Sequence, residues 1–160
     1  MDIFNEVKRD NIIGVKELAE EIEDISSVRN ENGDSLLRFA VKHGASLAMF
    51  KLLVAAGADL FEVDEEGVSI MDDAIKKGRI DIVEYMVQMG MDPNSTSRKS
   101  GFTPLMAAVS FGDEKITRFL LSCGVDIHVK DNFNYSAKDY ARMTGYKRFV
   151  KILEEYEEKS

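Results

Sequence analysis

Two interleaved series of glycines run through this chain with one shared period. Gly44, Gly78, Gly112 and Gly145 stand 34, 34 and 33 positions apart, and Gly57, Gly90 and Gly124 stand 33 and 34 apart. A fixed period of this length marks a stack of supersecondary units, each too small to bury its apolar side without a neighbour. Aligned on the glycines, SLLRFAVKHG, SIMDDAIKKG, TPLMAAVSFG and SAKDYARMTG share one slot, while FKLLVAAGAD, VEYMVQMGMD and TRFLLSCGVD share the next.

Each slot has a local physical meaning. Thr103 before Pro104 offers a hydroxyl to an orphan helix amide and a ring already set for the first helical position, so a short helix starts there. Ser35, Ser69 and Ser136 offer the same cap. The helix passes through small residues such as Ala107 and Ala108, which permit close packing, and ends at Gly112. A second helix follows, with Ile116, Phe119, Leu120 and Leu121 at helical spacing, and Gly124 closes it before a turn and extended segment at 125–129. The predicted unit is helix, turn, helix, finger.

TPLMAAVSFG and GADL at 57–60 resemble the ankyrin repeat, whose box reads T-P-L-H-x-A. The resemblance implies an all-α repeat solenoid forming one domain over 1–160, with units at about 1–29, 30–63, 64–97, 98–130 and 131–157, the outer two serving as caps. Departures carry expectations of their own. Arg38, Asp72, Met106 and Asp139 replace the box histidine, which predicts weaker bonding between fingers, although Asp72 is suited to supporting one. GASLAMFK at 44–51 holds an extra residue, and NSTSRKSG at 94–101 exceeds the family spacing, marking a loose finger. Ten acids within residues 1–34, from Asp2 and Glu6 to Asp34, face four basic residues and read as a solvated cap.

Charge narrows the partners. A net charge of −8 opposes nucleic acid and anionic membranes, both of which need clustered lysine and arginine. MDIFNEVKRD lacks the basic and apolar regions of a secretory signal, and Cys123 is the only cysteine, so a cytoplasmic protein is expected.

Chemistry finds little footing. Cys123 has no histidine at helical spacing, His43 and His128 lie on different repeats, and Asp72 and Asp73 point about 100 degrees apart around a helix. No phosphate-cradling loop, nucleophile elbow or zinc helix motif occurs. The reading is a non-catalytic adaptor or regulator without a cofactor, monomeric, binding an unidentified protein. Small bacterial proteins that this chain resembles are associated with catalase and haem supply. That likeness implies an alternative, a carrier in which His43, His128, Cys123 or Tyr135 offers an axial ligand. Self-association is a further alternative.

The resemblance also implies where a protein partner would sit. The family's usual contact positions are the second, third and fifth residues of a unit and the two before its inter-helix glycine. In the first full unit these are Glu31, Asn32, Asp34, Lys42 and His43, and in the second Glu65, Glu66, Val68, Lys76 and Lys77. In the third they are Lys99, Ser100, Phe102, Ser110 and Phe111, and in the last Asn132, Phe133, Tyr135, Met143 and Thr144. Aromatic residues take over from polar ones along the chain, which points to an exposed binding patch at Phe102, Phe111, Phe133 and Tyr135. Phe133, in a turn after Asp131 and Asn132, is the ring most expected to fold down onto local core.

Overall fold

A computed structural model describes residues 2–159 and resolves the repeat into ten α-helices. The first helices of the four later repeats are α3 (Leu36–Lys42), α5 (Ile70–Lys76), α7 (Pro104–Ser110) and α9 (Ala137–Met143). Their partners are α4 (Leu47–Ala55), α6 (Ile80–Gln88), α8 (Glu114–Ser122) and α10 (Lys147–Lys159). The opening pair is α1 (Ile3–Lys8) and α2 (Ile12–Glu20), followed by a single 3-10 turn at Ile25–Ser27. Among the described residues, extended pairing is limited to the isolated bridges Arg29 to Ser35 and Val63 to Ser69.

The caps stand where the sequence puts them. Ser35, Ser69, Thr103 and Ser136 each accept a hydrogen bond from the amide three residues on, satisfying one of the orphan donors at the helix start. The box position closes the cap from the other side. Asp72 accepts from the Ser69 amide and Asp139 from the Ser136 amide, both at 2.9 Å, while Met106 offers only a sulfur at 3.4 Å to Thr103. The extra residue in 44–51 is visible as well. Ser46 caps α4 two positions after Gly44, whereas Arg79 and Asp113 flank their helices directly after Gly78 and Gly112.

The described residues gather into two compact units, one ending at Glu62 and one beginning at Val63. In the first, α1 packs on α3 and α2 on α4 around Val7, Val15, Leu37, Met49, Phe50 and Leu53. In the second, α5, α7 and α9 form one layer and α6 packs on α8 in another, with Ile75, Met86, Val109, Ile116, Leu120 and Leu153 between them. Ala40, Ala74, Ala108 and Ala141 recur one period apart and are all buried, so the smallest side chain stands where first helices meet their neighbours.

The amino-terminal cap is less solvated than its acid count suggests. Glu6 is buried, accepting from Asn11 Nδ2 at 2.6 Å and Arg9 at 3.3 Å. Asp34 is buried as well and takes the Lys42 ammonium at 2.8 Å. A carboxylate leaves water only where charged or amide donors replace its hydration.

The finger expected to be loose is anchored. Thr96 Oγ1 donates to the Phe102 carbonyl at 2.7 Å, Ser97 Oγ donates to the Gly67 carbonyl at 2.7 Å, and Arg98 Nε lies 3.3 Å from Asp72 Oδ2. That last contact is an ion pair whose angle falls short of a hydrogen bond. Weak bonding between fingers is not seen in this unit either. The Lys99 amide donates to the Glu66 carbonyl at 3.1 Å and the Asn132 amide to the Ser100 carbonyl at 2.8 Å, so the backbone makes the link that the box residue was expected to provide.

Close packing of fingers gives a direct test. Gly67 and Gly124 both hold φ +80, but a Cβ at Gly67 would lie 2.0 Å from the Ser97 carbonyl oxygen, whereas one at Gly124 would meet nothing within 4 Å. Gly124→Ala is expected to cost about 1 kcal/mol for the left-handed backbone alone, and Gly67→Ala about 3 kcal/mol or more because the finger must also shift. Urea denaturation of the two variants checks this; equal losses would contradict the finger contact.

Candidate functional site

A short turn closed by an Asn or Asp side chain builds three of the four fingertips. Asn30 Oδ1 accepts from the amides of Asn32 and Asp34, Asp64 Oδ1 from Glu66 and Val68, and Asp131 Oδ1 from Phe133 and Tyr135, all at 2.9–3.0 Å. A residue with positive φ follows three positions after each: Gly33, Gly67 and, in the last finger, Asn134 at φ 68. The third finger keeps Gly101 but has Arg98 in the acceptor's place, so Ser100 Oγ accepts from the Phe102 amide at 3.3 Å instead. These turns present residues 65–66, 99–100 and 132–133 outward.

In the last finger the turn is locked from behind. Tyr140, in the middle of α9, donates its hydroxyl to Asp131 Oδ2. Asp131 is buried, and its two oxygens thus serve three donors. Burial first, and then the bond to this carboxylate and its charge, push the Tyr140 phenol up to about 12. Below it, hydrogen bonds from Ser136, its backbone amide first, together with the Arg142 charge, hold Asp139 below its ordinary 3.8.

Aromatic rings gather around Tyr140. Phe102 meets it edge-on with centroids 5.2 Å apart, and Tyr135 does so at 5.7 Å. The Arg98 guanidinium sits over the Phe102 ring, 5.0 Å from its centroid. Phe102 is consequently half-buried, with the Thr96 and Arg98 loop at its back. Phe133 reverses the expectation in the other direction. It is 69% exposed, at the tip of the turn whose backbone Asp131 fixes.

One helical turn beyond Tyr140, Met143 is 59% exposed at the end of α9. Phe111, the C-cap of α7, is 50% exposed, and Tyr146, whose ring stands against Gly112, is 45% exposed. Exposed apolar side chains therefore stand in two groups, Phe133 and Tyr135 at the last fingertip and Met143, Tyr146 and Phe111 at the helix ends, with half-exposed Tyr140 on α9 between them in the chain. The remaining candidates flank it. Lys76 and Lys77 end α5, Glu65 and Glu66 tip the finger at 64–68, and Lys99 tips the next; all five are exposed.

The residues considered for chemistry are dispersed. Cys123 is the exposed C-cap of α8, and the His128 amide donates to Asp126 in the following turn. His43 caps α3 and lies on the Phe39 ring at 4.1 Å, beside a groove that mixes Ile3, Phe4, Val28 and Phe39 with Asp2, Lys8, Arg29 and Glu31.

Tyr140, Asp131 and Tyr146 were not among the sequence candidates. Their signal was a third periodic series, Gly33, Gly67, Gly101 and Asn134, preceded three residues earlier by Asn30, Asp64, Arg98 and Asp131. It marks the turn, although nothing in it names Tyr140 as the partner.

Paired helices, a capped hairpin and a turn-built finger, repeated at 33 or 34 residues, define a scaffold that presents a surface rather than a cleft. The chain belongs to the ankyrin-repeat family, whose model for ankyrin repeats in many copies matches residues 71–121. Similar proteins include an ankyrin repeat protein of Fowlpox virus, 29% identical over 154 residues, covering 96% of this chain and 35% of that one. An ankyrin repeat-containing protein of Treponema pallidum is 27% identical over 119 residues, covering 74% and 39% respectively. The ankyrin repeat protein nuc-2 of Neurospora crassa is 30% identical over 118 residues, covering 73% and 11%. The chain thus spans well under half the length of these relatives. Ankyrin repeats are generally protein interaction modules and typically non-catalytic. No helix among the described residues is long and apolar enough to cross a membrane.

The Tyr140 lock predicts an alkaline transition. With its folded value raised from 10.0 to about 12, its contribution is complete below pH 10 and is lost as pH rises through about 12. Tyr140→Phe should cost about 1–2 kcal/mol at neutral pH, because Asp131 loses a donor, and should flatten this alkaline loss. Urea midpoints measured between pH 7 and 11.5 check both; an unchanged slope above pH 10 would contradict the assignment.

Proposed function

We propose that this chain is a non-catalytic protein-binding module, and that its contact surface is the aromatic face of the last two repeats. The observation that carries the proposal is the exposure of Phe111, Phe133, Tyr135 and Met143, at 50, 69, 40 and 59%. Large apolar groups held rigidly in water are a standing source of binding free energy, and rings and methionine are the side chains enriched at contact centres. Phe102 supports the surface from behind, while Lys76, Lys77, Lys99, Glu65 and Glu66 form a charged border that orients the partner. The chain works as a monomer in the reducing cytoplasm, consistent with its exposed lone thiol.

Phe111→Ser with Met143→Ser tests the face without touching the core, since both side chains are more than half in water or nearly so. Affinity capture from the source organism's lysate should recover a stoichiometric protein on the wild type and lose it on this variant, with the thermal midpoint within about 3 °C. Equal capture by both would move the site elsewhere, and a large fall in stability would show that the two side chains are core.

A further inference from the structure

The charge around this face is opposite to that of the chain. Residues 98–151 hold ten lysines and arginines against five acids, a net +5 within a protein of −8, so the remainder carries −13. The five acids are also engaged internally, as are Arg98, Arg118, Lys138, Arg142 and Arg148 among the cations, Lys138 with Glu154 and Glu157 beyond this segment. Asp113 caps α8 through the Ile116 amide, Asp126 closes the next turn through the His128 amide, and Asp131 holds Phe133, Tyr135 and Tyr140. Asp139 is bonded to Ser136 and paired with Arg142 at 3.5 Å, and Glu114 is paired with Arg148 and Arg118.

Several cations beside the apolar surface face water. Lys99 stands at the fingertip next to that of Phe133, joined to it by the bond from Asn132 Nδ2 to the Lys99 carbonyl at 2.6 Å. Exposed Lys130 precedes Asp131 and lies close enough to Asp139 to act on its charge. Arg142 and Lys147 flank Met143 and Tyr146, and both are exposed. A partner that seats apolar side chains here meets positive charge at the last two fingertips, on α9 and at the start of α10, while α7, which carries Phe111, holds none.

Resting on the binding-module reading above, we infer that this face takes an extended acidic segment of a protein, in which apolar side chains alternate with aspartate or glutamate. Alternation suits the surface because an extended chain puts successive side chains on opposite sides, one set on the rings and methionine and the other toward the lysine border. The border favours anions through long-range attraction, so the interaction weakens as salt screens it.

The test uses fluorescence anisotropy with the full chain and three labelled probes. The first is a peptide of about 12 residues in which Glu alternates with Leu and Phe, the second replaces Glu by Lys, and the third is a single-stranded oligonucleotide of about 12 nucleotides. The acidic peptide is expected to bind at least about tenfold more tightly than either other probe, and Lys99→Glu with Lys130→Glu and Lys147→Glu to weaken it about tenfold. Equal binding of the lysine peptide, tighter binding of the oligonucleotide, no binding of the acidic peptide, or indifference to the triple reversal would each overturn the inference. Phe111→Ser with Met143→Ser separates the two levels. If this variant loses a peptide that is indifferent to charge, the face stands and only its acidic partner falls. If it retains the acidic peptide, the face itself is wrong.

Discussion

The backbone bonds between neighbouring fingers hold the displayed surface of the second unit in place. The Lys99 amide reaches Glu66 and the Asn132 amide reaches Ser100. Each bond joins two fingertips at equivalent positions, so the register of the repeat and the positions of exposed side chains are set together. A substitution that moved one finger would move Phe133 or Lys99 relative to its neighbour. The helices supply the layers beneath, but α5, α7 and α9 are only seven residues each, too short to be stable without packing. Stacking therefore stabilises the helices and aims the fingers at the same time.

From this constraint follows the contrast between the buried and exposed aromatic groups. Phe102 follows its fingertip turn and is half-buried, whereas Phe133 lies at the tip of the next turn and stands in water. The difference lies in what the next element offers. Tyr140 on α9 packs perpendicular to Phe102, and Arg98 lies over the Phe102 ring. Asp131, which Tyr140 holds by its hydroxyl, fixes the turn that sends Phe133 outward. One tyrosine thus covers one ring and holds the turn that carries the other.

Much of the fold was legible in the sequence because it is written locally. A hydroxyl three residues before its target amide, a small residue at the tightest contact and a glycine at each helix end are short-range rules, and Ser35, Ser69, Thr103 and Ser136 obey them. The finger contacts were not legible, because Thr96, Ser97 and Arg98 act on groups in other turns that no spacing identifies. The same limit hid Glu6 and Asp34, acids whose partners Asn11 and Lys42 lie five and eight positions away and draw them out of water. At the proposed face, the aromatic positions were readable, but the half-burial of Phe102 depends on Tyr140, a residue of the following repeat.

Methyl NMR of the methionines tests the central claim most directly. The chain has eight methionines, of which Met49, Met71, Met86 and Met106 are buried, while Met143 on the proposed face and Met89 at the end of α6 are exposed. On titration with the acidic peptide, the Met143 methyl resonance should shift saturably while that of Met89 stays in place. A shift at Met89 with Met143 unmoved would contradict a binding face built on the last two repeats.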